Sequence, residues 1–229
     1  MLIGKDIFGK IKQKRFMEES VMLKNETIDN ILARESCLDF TGEPVPEEAI
    51  ETLLAAGRHA PTSGGRQPWH FTVVTDPKIL DDISYLVHGN FLEMMSKIKE
   101  ENERGGVKKT PFSGYDENPT PASVRYNCPL IIIVSGDPKQ SSAYFTDCCL
   151  ATENMYIAAQ SLGLSSLWWG ALERGGFKNP KSADLKKLLI PEGYEVVSAS
   201  LFGYPTPGAT RKPGRLVTFQ RGKGGVSRF

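Results

Sequence analysis

The residues best suited to chemistry lie between Ala60 and Phe71. In Pro61-Thr62-Ser63-Gly64-Gly65-Arg66-Gln67-Pro68 the chain sets small hydroxyls, two glycines, a guanidinium and a side-chain amide between two prolines. Thr62, Ser63 and Gln67 are short donors and acceptors. Gly64-Gly65 lets the backbone approach a ligand closely or adopt positive φ, and the prolines stiffen both ends. Such a loop can wrap a polar, planar or phosphorylated ligand. Taken alone it also reads as a polar turn from helix to strand, so partners elsewhere in the chain must decide. His59 and His70 flank the loop, either within reach of a ligand or as satisfied structural histidines. No G-x-S-x-G, H-E-x-x-H or Walker lysine loop is present, and three histidines are poor material for a triad. A chain short of catalytic groups but rich in phosphate-type donors fits an enzyme whose cofactor does the hard chemistry.

The elements that must hold this loop follow from the spacing of apolar residues. Asn25 can cap a short helix through Ile28, Ile31 and Leu32. Pro46 suits the first turn of a helix with Ile50, Leu53, Leu54 and Gly57 on one face. Trp69–Thr75 alternates and reads as a strand. Asp76-Pro77 opens another helix, with core spacing from Ile79 to Val87. Residues 102–127 break every pattern, through Gly105-Gly106, Pro111, Gly114, Pro119 and Pro121. A loop this long is either a lid or a disordered insert, and Phe112 and Tyr115 are its aromatics that can close over a ligand. Pro129–Val134 is apolar on both faces and reads as a central strand. Ser141 or Ser142 opens the longest expected helix, stopped by Gly163. It is apolar almost all round, which points to a core helix also covered by a second subunit. Leu164–Trp169 and Val196–Phe202 read as strands, Ser182–Leu189 as a helix. The tail 205–229 has no apolar stripe of its own. This order lacks regular βαβ alternation and no G-x-G-x-x-G follows a strand, so an α+β layer fold is expected and a Rossmann nucleotide site is not.

Composition sets the outer limits. The 229 residues are 40% hydrophobic and 24% charged, with a formal net charge of +1. That suits one large or two small globular domains and gives no overall field pointing to nucleic acid. Residues 1–24 form a basic amphipathic extension, with Ile3, Ile7, Phe8 and Ile11 at helical spacing among lysines; it reads as a helix on the protein's own surface or on a membrane. No segment is apolar enough to span a bilayer, and the first 20 residues lack the apolar core of a signal peptide. Cys37, Cys128, Cys148 and Cys149 form no C-x-x-C and no metal spacing. Reduced, packed thiols and a cytoplasmic location are therefore expected, with no metal.

Four stretches together carry a resemblance. R-x-A-P-T-S-x-x-x-Q-P-W-x-F at Arg58–Phe71 resembles the loop of the FMN-dependent nitroreductases. Arg34-Glu35-Ser36 before Phe40 resembles that family's R-R-S-x-R-x-F signature. Glu153-Asn154 through Gly163-Leu164, then Trp168-Trp169-Gly170-Ala171, is similar to its central helix and flavin-edge turn. Gly203-Tyr204-Pro205 with Arg211-Lys212-Pro213 and Arg215 is similar to its C-terminal segment. The match runs in the family's order over roughly residues 26 to 216.

The resemblance implies a mostly antiparallel sheet flanked by helices, an intertwined homodimer, and FMN reduced by NADH or NADPH. Electrons would pass through flavin N5 to a flat acceptor, such as a nitroaromatic or quinone, by a ping-pong course. It implies Arg34 and Ser36, with Arg211, Lys212 and Arg215, at the phosphate, where arginine forks bind two oxygens. Pro61, Thr62, Ser63, Gly65 and Gln67 would line the ring's polar edge. Gly170 and Ala171 would lie at N5, Trp169 beside the flavin, and Trp168 would be an aromatic wall for the acceptor, although at least one of the two tryptophans also reads as dimer core. Without the resemblance, Arg34 is also a charge at a helix C-terminus and Arg211–Arg215 a solvated basic tail. Glu35 and Leu38 replace basic residues of the family pattern, and Gly65 its loop Asn, with Arg66 beside it. Dehalogenation, ene reduction and flavin destruction in a related subfamily stand beside nitroreduction, with the lid deciding between them, and Glu35 and Leu38 favour a further alternative, a flavin-holding homodimer without turnover.

Overall fold

In a computed structural model of the chain, the structure describes residues 23–103, 119–174, 177 and 182–208. The expectations for the basic extension through residue 22, for Phe112 and Tyr115 and for Arg211, Lys212 and Arg215 therefore fall outside the described residues. The chain divides into two compact units, Met1–Arg34 and Glu35–Phe229. In the first unit, Asn25 caps α1 (Glu26–Ala33) by accepting the Ile28 N–H at 2.9 Å.

The second unit is built on a four-stranded antiparallel sheet, order β1-β2-β4-β3, from β1 (Trp69–Val74), β2 (Leu130–Gly136), β3 (Ser165–Trp168) and β4 (Glu195–Gly203). β2 is buried along its whole length because both of its faces are covered. Leu130, Ile132 and Val134 join Phe202 and Val197 against α2 (Glu47–Arg58) and α5 (Tyr144–Ser161), through Leu53, Leu54, Met155 and Ala159. Ile131 and Ile133 join Ala199 and Leu201 on the other face. There they meet α3 (Pro77–Glu103) and α7 (Ala183–Leu189), through Leu80, Ile83, Val87 and Leu189. The result is helix, sheet and helix layers, the α+β arrangement read from the element order. Two short helices, α4 (Pro121–Val124) and α6 (Gly170–Arg174), complete the set.

Two expectations change: the stretch 102–127, expected to be irregular throughout, contains α4 at Pro121–Val124 capped by Thr120, and a different helix is the longest. The helix expected to be longest, α5, has 18 residues, whereas α3 has 27. Phe91, Met95 and Ile98, all half-buried, carry the apolar spacing of α3 beyond Val87 up to the insert. The apolar girdle of α5 is only partly covered by its own chain: Phe145 is 53% exposed, and Leu150 and Leu162 also face outward.

Candidate functional site

Helix α2 ends at Arg58 and delivers the loop directly. Thr62 is extended, Ser63–Gly65 forms one 3-10 turn, and Gly64 and Gly65 have φ of 63° and 67°. Gln67 follows at φ 49°. A left-handed non-glycine residue is strained and persists where its surroundings determine it. Those surroundings are explicit. The Gly65 N–H donates to Thr62 O at 3.2 Å, and the Gln67 N–H to Thr62 Oγ1 at 3.2 Å. The Ser63 N–H donates to Asp147 Oδ1 at 3.0 Å. Gln140 Nε2 donates to Arg66 O at 2.7 Å, and the Asp137 N–H to Pro68 O at 2.9 Å.

This bonding narrows the roles read from the sequence. The amides of Ser63, Gly65 and Gln67 are committed within the protein, and the Thr62 hydroxyl shapes the loop. The side chains of Ser63, Arg66 and Gln67 are exposed on this loop. Arg66 folds back, its Nη1 donating to Ser63 O at 3.3 Å. A Cβ placed on Gly65 would meet no atom within 4 Å, so the outer side of the loop is open. Pro61 is exposed at the entrance to the loop.

A second group of site residues gathers on the β3 edge. Ser36 lies opposite Ser166 in a parallel bridge, and the Cys37 N–H donates to Ser166 O at 3.0 Å. Two residues on, Trp168 pairs with Ser200 and is 57% exposed. Trp169 is 5% exposed and packs into the core with Leu172 and Ala199, its N–H donating to Ala199 O at 2.8 Å. The Trp169 indole is thus packed in the core of its own chain, and Trp168 is the tryptophan that presents an exposed face at this edge. Gly170 is buried, while Ala171 is exposed at the start of α6. Pro205 bridges Phe40, and the Thr206 N–H donates to Asp39 O at 3.1 Å, beside the Ser36 segment. Arg34 belongs to the first unit, where its N–H closes α1 on Asn30 O at 3.1 Å.

The loop and this edge do not meet within one chain. β1 and β3 are the outer strands of the sheet, and three strand spacings separate them by roughly 14 Å. The loop's donors and the exposed Trp168 face suit a planar group with a polar edge. No group of three His, Cys, Asp or Glu could hold a metal ion among the described residues. No described helix is long and apolar enough to cross a membrane. Near the loop, Tyr144 OH donates to Glu195 Oε2 at 2.5 Å, and this bond pushes the phenol up from its ordinary pKa, since ionisation would set two anions face to face.

The residues that grip the loop went unread in the sequence. Asp147, Gln140 and Asp137 act from 69 to 84 positions away: Pro68 is held by Asp137, Arg66 by Gln140 and Ser63 by Asp147. An acid in the first turn of a helix already has a sufficient explanation in the helix dipole, so Asp147 gave no separate signal.

Comparison with known proteins joins these halves to a family. The sequence profile described as the Nitroreductase family matches residues 31–204. An Archaeoglobus fulgidus protein, provisionally named NADH dehydrogenase/NAD(P)H nitroreductase, is 31% identical over 185 residues, spanning 79% of this chain and 86% of its own. A Bacteroides fragilis nitroreductase solved with bound FMN is 29% identical, with a TM-score of 0.67 over 90% of this chain and 100% of that one. A second, from Desulfitobacterium hafniense and also with bound FMN, is 26% identical, with a TM-score of 0.65 over 80% and 91% of the two chains. The profile match covers both the Thr62–Gln67 loop and the Ser36–Ala171 edge, and with the relatives it establishes that this chain belongs to the nitroreductase family.

Proposed function

We propose that this protein is an oxidoreductase that binds FMN, takes electrons from NADH or NADPH, and delivers them to a flat acceptor such as a nitroaromatic or quinone. Bound FMN supplies the redox chemistry, in two half-reactions with donor and acceptor. The chain's own part is to bind, orient and shield. One observation carries the proposal: an open, strained, donor-rich loop is held rigid in a chain whose sequence offers no catalytic triad or metal motif of its own.

Ser63 and Gln67 present hydroxyl and amide groups to the ring's polar edge, while Thr62, Gly65 and Pro61 set the shape that aims them. Ser36, with Arg211, Lys212 and Arg215, serves the phosphate, where charge-assisted bonds are strongest. Gly170 and Ala171 bring backbone rather than bulk to the reacting edge, and Trp168 offers an aromatic face to the acceptor. The same arrangement supports a homodimer. Loop and β3 edge stand too far apart to grip one ring from one chain. A second copy can supply the missing half, and the outward Phe145, Leu150 and Leu162 of α5 give it an apolar surface to cover.

The decisive experiment is the visible spectrum of the purified protein, followed anaerobically on adding NADH or NADPH and then a quinone. A flavin spectrum that bleaches with the nucleotide and returns with the acceptor is expected. Failure to take up FMN after incubation would overturn the proposal.

A further inference from the structure

We infer that Asp147 is the positioning residue of the ligand loop: its buried carboxylate holds the Thr62–Gln67 turn in the shape that presents Ser63 and Gln67 outward. The inference rests on the flavin proposal for its ligand, and on geometry for the rest. Asp147 is 3% exposed. An aspartate so buried is rare unless it is paired, yet among the described residues no cation stands at ion-pair distance from it. Its compensation is a directed chain of hydrogen bonds. The Ala143 N–H donates to Ser141 Oγ at 3.1 Å, Ser141 Oγ–H donates to Asp147 Oδ2 at 3.2 Å, and the Ser63 N–H donates to Asp147 Oδ1 at 3.0 Å. The carboxylate also sits in the first turn of α5, where the helix dipole favours negative charge.

The bond to Ser63 falls where the loop most needs it. Ser63 precedes Gly64, Gly65 and Gln67, the three residues at positive φ. Two adjacent glycines have many alternative conformations, and the bonds to Thr62 are internal to the loop and cannot fix its direction. Only anchors from outside can, and at the apex these are Asp147 on Ser63 and Gln140 on Arg66. Without Asp147 the ligand-ready shape is populated for a fraction of the time, and apparent affinity falls by that fraction. A hydrogen bond to a charged acceptor corresponds to a factor of roughly ten to a hundred.

The test uses the full chain with Asp147→Ala, Asp147→Asn and Ser141→Ala. Binding of FMN and of riboflavin is read by quenching of flavin fluorescence, and amide exchange is followed across Ser63–Gln67. Asp147→Ala should weaken both flavins by about tenfold or more, since the loop serves the ring that both share, and should speed exchange of the Ser63 amide. Asp147→Asn keeps an oxygen for Ser63 and a donor for the Ser141 oxygen, so it should bind within about threefold of the wild type. Ser141→Ala removes one anchor of the carboxylate and should fall between them. An alanine variant that binds normally, an asparagine variant as weak as alanine, or a loss confined to FMN would each overturn the inference. If Asp147→Ala does not fold by circular dichroism, Asp147→Asn and Ser141→Ala decide by the same readings: an unchanged Ser141→Ala or a crippled Asp147→Asn overturns it. If the wild type binds neither flavin, the flavin proposal falls, and exchange at Ser63 alone decides whether Asp147 holds the loop.

Discussion

Replacing Gly136 with alanine should unsettle the loop from beneath. Gly136 is buried at the end of β2, pairing with Trp69 on one side and Glu195 on the other. The first turn of α5 lies directly over it. An ideal Cβ at this position would stand 2.7 Å from Tyr144 Cδ2, 3.0 Å from Cys148 Sγ and 3.2 Å from Tyr144 Cβ. The first distance is a clash, and the ring cannot simply swing away, because its hydroxyl is tied to Glu195. The helix turn must therefore lift, at an overpacking cost of about 1–3 kcal/mol. For a chain of this size that is a fall in Tm of roughly 2–4 °C per kcal/mol. The same turn carries Asp147, so affinity for flavin should drop as well. Calorimetry and flavin titration on Gly136→Ala, Tyr144→Ala and the double variant would measure both effects. The double variant should recover part of the loss, a coupling of about 1 kcal/mol, since the ring clash is gone while Cys148 Sγ remains close. A Gly136→Ala protein as stable as the wild type, or strictly additive variants, would refute the close approach of α5 to the sheet.

Two further outcomes are expected. Burial pushes the thiols of Cys128 and Cys148 up to about 12 from an ordinary 9.0, and burial also raises Cys37. Folded values above unfolded ones mean full stability below pH 9.0 and loss as pH rises from there towards 12, about 1.4 kcal/mol per unit for each deeply buried thiol. Urea midpoints should hold level from about pH 8 to about pH 9 and fall from there to about pH 10.5, and a profile flat throughout would contradict the burial. Gln67→Gly removes both the left-handed strain and the side-chain amide. Stability should stay within about 1 kcal/mol of the wild type, because relieved strain offsets the added freedom of the unfolded chain, while flavin affinity should fall by about fivefold to tenfold.

The sequence disclosed the loop because composition alone marks it: glycines, short polar groups and prolines in eight positions cannot form a regular element. The layers were equally open to reading, since Leu130–Val134 is apolar on both faces and had to be central. Trp168 and Trp169 show where such reading stops. Adjacent strand residues face opposite ways, so one had to turn inward, but which one depended on a register with Ser200 that no local pattern encodes. Asp147 was hidden for the same kind of reason. Its partner is 84 residues away, and its local role as a helix-start acid left nothing unexplained.

That contrast separates the two halves of the site by what holds them. The Ser36–Ala171 edge is fixed by backbone bonds: Cys37 to Ser166, Trp168 against Ser200, and Trp169 to Ala199. Such bonds survive most changes of side chain, because every residue but proline supplies the same donor and acceptor. The Thr62–Gln67 loop is instead held largely by side chains, Asp147 and Gln140 from around one helix start, with Thr62 from within. Single substitutions can reach it without unfolding the sheet. The β3 edge should therefore keep its shape under most side-chain changes, whereas the loop should respond to single substitutions. If the loop binds flavin as proposed, substitutions at Asp147 and Gln140 should shift flavin affinity while leaving the sheet and its β3 edge folded, which flavin titration alongside circular dichroism would check.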